Sequence, residues 1–309
     1  MSELFDDARR ESVLESERNE EAAGEPQTRE DWMRQKGRMD GAGRDAGSKE
    51  EDVGGMDVDE VHNLGVKYAQ QGNKRKARTV CLEGLERFPY SVDLLADAIE
   101  YCSDLGDLET AGRCYDTLRT KVPMARWNWR AFTFSAHYLL KRDPLVNEKE
   151  YQWILSQYKA WLPYDERSYL LESNLEQALG SQDRAMEILQ QALCAYPNAC
   201  QCAMLLANMQ MERGLYEAAA ATARYGIAAS AAAQPNINVP YLCFLQTLAK
   251  DYLLHRKVCR GEAVDPKECS DLEWEYSLLL QEFPELLDCW GTIRTRMTML
   301  KLLRGRQEE

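Results

Sequence analysis

The sequence predicts an all-α chain: a right-handed α-solenoid of about six helix-turn-helix units, closed by a C-terminal capping helix and preceded by a disordered acidic N-terminal tail. Three observations predict it. Prolines recur just past apolar helical stripes, at Pro89, Pro123, Pro163, Pro197, Pro235 and Pro284, with spacings of 34, 40, 34, 38 and 49 residues. A period of 34 is too long for a heptad and too short for a domain, so it implies a repeated helix pair. Glycines mark the midpoints at Gly72, Gly106, Gly180 and Gly214, where a tight turn between antiparallel helices calls for a left-handed backbone. An alanine follows each glycine by five residues, at Ala77, Ala111, Ala185 and Ala219, small enough for two helices to approach closely.

The boundaries follow from composition. Residues 1–57 hold 17 acidic and 9 basic residues and few aliphatic ones, too little apolar surface to offset the entropy of ordering. Residues 58–284 carry the repeats. In 285–309, Leu286, Trp290, Ile293, Met297 and Leu300 recur at helical steps, while Arg294, Arg296, Lys301, Arg304 and Arg306 make a basic, solvated face suited to the end of an array.

The opening unit carries Leu64, Gly65, Tyr68, Gly72, Ala77 and Pro89. With these six residues at these places the chain resembles a tetratricopeptide repeat (TPR) protein. The second unit, 92–125, keeps Gly106, Ala111, Tyr115 and Pro123. The fourth, 166–199, keeps Gly180, Ala185, Leu189, Ala192 and Pro197, and the fifth, from 200 to about 234, keeps Leu206, Ala207, Gly214 and Ala219. The third unit is longer, and its extra residues read as a loop around "KRDPLVN" joining helices at Arg126–Lys141 and Asn147–Ala160. The sixth, Asn238–Phe283, holds a larger loop, "CRGEAVDPKEC".

Chemistry finds no foothold in the sequence. The three histidines, His62, His137 and His255, stand far apart, and no nucleophile elbow, zinc-protease helix, dinucleotide loop or phosphate loop occurs. The ten cysteines form no C-x-x-C pair and read as reduced thiols, several in apolar stripes. No enzyme activity, cofactor or metal is expected. A formal charge of −13 argues against nucleic acid, and no apolar run is long enough to span a membrane, so a cytoplasmic protein is expected. Nothing in the sequence fixes an oligomeric state.

Binding is the better expectation. The resemblance implies a concave groove lined by the first helix of each unit, and peptide or protein partners. Asn174 and Asn208 occupy equivalent places 34 residues apart, with Gln246 in the corresponding region of unit six. A column of amides can both donate to and accept from an extended backbone. The alternative is that these are ordinary exposed helix residues. Arg130 and Arg167 could meet a peptide carboxylate in the same groove. The third unit is rich in aromatics, expected mostly in the core, and Trp127 is the first candidate for an exposed anchor. The family's chaperone-tail clamp is disfavoured, because His62 and Val66 stand where that clamp has lysine and asparagine.

The expected function is therefore a protein–protein interaction scaffold or adaptor that binds a peptide or partner helix in the groove. The alternative is a regulatory peptide receptor gated by its own N-terminal tail, where Leu4, Phe5, Ala8, Val13 and Leu14 could form a short docking helix.

Overall fold

The computed structural model describes residues 53–196, 198–231 and 238–305. The expected tail docking segment and most of the acidic tail lie outside the described residues. Thirteen α-helices and no strand occur among the described residues: α1 Val58–Gln70, α2 Lys74–Arg87, α3 Val92–Asp104, α4 Leu108–Lys121, α5 Trp129–Arg142, α6 Pro144–Trp161, α7 Arg167–Ala178, α8 Gln182–Ala195, α9 Cys200–Glu212, α10 Tyr216–Ala231, α11 Val239–Cys259, α12 Pro266–Glu282 and α13 Trp290–Gly305. They fall into two compact units, residues 52–249 and a second centred on residues 250–309, with the boundary inside α11.

Residues 52–249 are consecutive antiparallel pairs, α1 with α2 through α9 with α10. Four of these five turns are built as the glycines require. Gly72, Gly106, Gly180 and Gly214 all have φ between 70° and 84°. The residue after each glycine donates its N–H five residues back, Asn73 to Tyr68, Asp107 to Cys102, Ser181 to Glu176 and Leu215 to Gln210, which satisfies a carbonyl at the end of the first helix. Asn73 and Asp107 then cap the second helix through the N–H groups of Lys76 and Thr110. Ala77, Ala111, Ala185 and Ala219 are fully buried, where the repeat pattern places close helix contact.

The described residues include a short turn before the expected boundary at residue 58. Val53–Gly55 form a 3-10 turn, Val53 is buried, and Arg87 Nη1 donates to the carbonyls of Val53 and Met56. Asp57 and Glu60 form a reciprocal capping box at the start of α1.

Unit three corrects the expected long loop. Helices α5 and α6 are separated by Asp143 alone. Its Oδ1 accepts from the N–H groups of Leu145 and Val146 at 3.0 and 3.1 Å, and Pro144 takes the first helical position, where no N–H is needed. Asp-Pro therefore starts a helix, and the extra residues lengthen α6 to 18 residues and form a 3-10 turn at Met124–Arg126. The sixth unit's loop is shorter than expected, residues 260–265 only, because Asp265 caps α12 and Pro266–Cys269 are already helical.

In the second compact unit, α12 packs on α13, and Tyr276, Ile293 and Leu300 are fully buried. A 3-10 segment, Pro284–Cys289, precedes α13. Arg296 departs from the expected solvated face. Its Nε donates at 2.6 Å to Asp251, a fully buried carboxylate that also accepts from Tyr276 Oη at 3.0 Å. Arg304 is likewise paired, with Glu273 at 3.1 Å, and Arg306 lies outside the described residues.

Ala77→Arg or Ala185→Arg forces a long charged side chain into a filled contact, at a cost of about 1–3 kcal/mol or more. Each variant should melt about 5 °C or more below the parent, followed by circular dichroism. Parent-like melting of both would show the repeat register to be wrong.

Candidate functional site

Within residues 52–249 the first helices lie side by side, α1 against α3, α3 against α5, α5 against α7 and α7 against α9. Their residues outside the core form a wall, and the middle of that wall is held by carboxylates of α3. Asp97 is 0 % exposed. It accepts from His62 Nδ1 of α1 at 2.7 Å and from the Arg130 guanidinium of α5, so one buried charge straps three first helices. One turn earlier, Asp93 accepts from Asn128 Nδ2 at 2.7 Å. Two turns later, Asp104 meets Lys74 at 2.6 Å, Lys141 at 2.7 Å and His137 at 3.6 Å.

These pairs shape the electrostatics. The hydrogen bond to Asp97 raises the pKa of His62 above its ordinary value against the cost of burial. Burial pushes the Asp104 carboxyl up, but hydrogen bonds from Lys141 and Lys74 outweigh it and leave the group below its usual range. The thiols behave as core hydrophobes. Burial pushes Cys102 up to about 12 and Cys114 up to about 11, so neither is a thiolate near neutrality. No group of three or more side chains suited to a metal occurs among the described residues.

Arg130 and Arg167 are brought together around Trp129. Trp129 is 37 % exposed. Arg167 lies 4.5 Å from its ring centre and Arg130 5.8 Å, with Arg130 also 5.4 Å from the Phe134 ring. Neither guanidinium is a bare cation, because Arg130 is held by Asp97 and Arg167 Nη1 donates to Asp165 Oδ2 at 2.8 Å.

Trp127, expected as the exposed anchor, is 2 % exposed and packs on Phe132 with ring centres 5.2 Å apart. Asn128 caps α5, so Trp127 and Phe132 stand where a hydrophobic staple closes over a helix start. The aromatic surface that is open in unit three belongs to Trp129, Trp161 and Tyr164.

Asn174, Asn208 and Gln246 stand half-buried on α7, α9 and α11, each on the first helix of its unit. Asn208 Oδ1 accepts from Tyr241 Oη at 3.2 Å, which ties α9 to α11 and leaves the amide N–H groups to donate. Neither Asn174 nor Gln246 has a side-chain hydrogen bond among the described residues.

With turns, alanines and first-helix wall in register, the repeat is tetratricopeptide-like. No protein-family model matches the sequence, and no curated protein matches it. Among solved structures the chain is similar to a thermophilic TPR protein of Thermus thermophilus, at 18% identity over 63% of this chain and 98% of that one, with a TM-score of 0.49. It is similar to a tetratricopeptide repeat protein from Parabacteroides merdae, at 15% identity over 78% and 83% of the two chains, with a TM-score of 0.47. It is also similar to a Rap protein complexed with Competence and Sporulation Factor, at 14% identity over 80% and 75%, with a TM-score of 0.49. No helix among the described residues is long and apolar enough to cross a membrane.

The strap at Asp97 makes two predictions. Arg130→Met leaves a buried carboxylate short of its strong partner and should cost about 3–5 kcal/mol in urea unfolding. A cost under about 1 kcal/mol would show the pair to be dispensable. For His62, the folded pKa lies above the unfolded value, so its contribution is complete below about pH 6.5 and is lost as pH rises through the folded value. The stability gap between parent and His62→Gln should therefore narrow as pH rises above about 6.5. A constant gap would uncouple His62 from the charge on Asp97.

Proposed function

We propose that this chain is a protein-interaction scaffold that holds an extended peptide or a partner helix against the wall of its first helices. The observation that carries this reading is the arrangement of residues that the core does not use. Trp129 and Arg167 present an aromatic face and a cation on α5 and α7, and Asn174, Asn208 and Gln246 continue on α7, α9 and α11. Amide side chains at repeat spacing can bond a peptide backbone whatever its side chains, and an exposed tryptophan supplies an apolar anchor. Compared with the sequence expectation, the anchor moves from Trp127 to Trp129.

The double variant Asn174→Ala/Asn208→Ala should stay folded, the gain in helix propensity of about 0.5 kcal/mol or more per site offsetting the loss of the Tyr241–Asn208 hydrogen bond, about 0.5–1.5 kcal/mol. Each lost hydrogen bond to a bound backbone would cost about 0.5–1.5 kcal/mol, so affinity for a partner identified by capture should fall about tenfold or more. Trp129→Ala should weaken the same partner by about 2 kcal/mol. Calorimetric titration with unchanged affinity in both variants would remove the wall as the binding surface.

A further inference from the structure

On α3 the wall contains a half-buried carboxylate, Glu100, that no hydrogen bond or ion pair reaches among the described residues, and its position is set by the register of α3 against α5. Along α3 the acidic residues are Asp93, Asp97, Glu100 and Asp104. Donors on α5 meet three of them at successive heights, Asn128 at Asp93, Arg130 at Asp97 and Lys141 at Asp104. Glu100 comes between the second and third, and no hydrogen bond or ion pair reaches its carboxylate among the described residues. One turn beyond Arg130, α5 carries Phe134, an aromatic ring that lies 5.4 Å from the Arg130 guanidinium.

We propose, building on the reading above, that Glu100 is the vacant rung of this ladder and that the bound segment completes it with a lysine or arginine side chain. The nearby cations are already committed. Lys74 of α2 donates to Asp104 at 2.6 Å, Arg130 of α5 is held by Asp97, and His62 of α1 is bonded to Asp97 as well. The surroundings suit a cation. The Arg130 guanidinium already lies over the Phe134 ring at 5.4 Å, and the exposed Trp129 offers a second aromatic face on the same helix. An acidic segment finds no such place, because Arg130 and Arg167 each carry their own aspartate.

The state of Glu100 agrees with an unfilled pairing site. It is half-buried, and burial pushes its carboxyl up to about 7. Arg130 and Lys74 pull it down, while Asp97 and Asp104 on its own helix push it further up. A cation arriving from a partner meets a carboxylate that has lost part of its hydration and has gained no protein donor in exchange, so a pair formed here is worth more than one on an open surface.

The test pans a displayed library of random peptides, about twelve residues long, on the full chain at about pH 8. Binders weakened by Asn174→Ala/Asn208→Ala are those seated on the wall. These should carry lysine or arginine, lose about tenfold in affinity against Glu100→Gln, and lose about tenfold against the parent as pH falls from about 8 to about 6. Circular dichroism verifies that Glu100→Gln folds like the parent. Wall binders that lack a basic residue, or basic ones that bind Glu100→Gln as tightly as the parent, overturn the role of Glu100 and leave the wall reading standing. A library that yields no wall binder overturns both.

Discussion

Ala77, Ala111, Ala185 and Ala219 are each fully buried five residues after a left-handed glycine, and this contact sets how near the two helices of a pair can lie. The same closeness recurs at glycines inside helices. A Cβ on Gly84 would stand 2.6 Å from Val61, and one on Gly65 would stand 2.9 Å from the Cys81 sulfur. Packing this close leaves no room for variation in helix separation, because a filled interior resists an added methyl group as strongly as it resists a lost one. Pairs of uniform width can be stacked, and stacking is what lines up every fourth or third residue of the first helices on a common face.

Once that face exists, its chemistry is decided by charge rather than by apolar area. Asp97 sits in a dry helix contact with His62 and Arg130 on either side, and a carboxylate buried there without such partners would carry a large desolvation cost. Removing the carboxylate from water is costly, and the return is positional: three helices are held at one height along their axes. The Asp251 cluster in residues 250–309 follows the same logic with Tyr276 and Arg296, which join α11 to α12 and α13. Paired charge thus serves as a register mark in both compact units, and the wall inherits a mostly neutral, hydrogen-bonding character from it.

Much of the fold was legible because its signals are local. A turn glycine, an alanine five residues on and a proline at the unit's end act through residues in immediate sequence neighbourhood, and their repetition exposes the pattern. The misreadings have local physical causes too. "RDPL" reads as a loop from the proline alone, but aspartate before proline is a cap followed by a first helical position. Trp127 and Trp129 differ by two residues and have opposite fates, since the helix start lies between them: the one before the cap folds back on Phe132 and the one after it points along the wall. The ladder was less legible. His62, Asp97 and Arg130 are spaced by 35 and 33 residues, close to one repeat, and that spacing was the available signal. It becomes a contact only when helix rotation is known, which no single repeat specifies. Arg296 was misplaced for the same reason, its partner Asp251 being 45 residues away.

The burial of the thiols has a practical side. Of ten free cysteines, six are buried, Cys243 and Cys289 are intermediate, and Cys194 and Cys259 are exposed. Cys194 belongs to residues 52–249 and Cys259 to residues 250–309. The natural chain therefore carries one readily accessible sulfur in each compact unit. A maleimide dye or nitroxide added under native conditions will favour these two positions, so that a partner's arrival can be followed by spectroscopy without first stripping cysteines from the core.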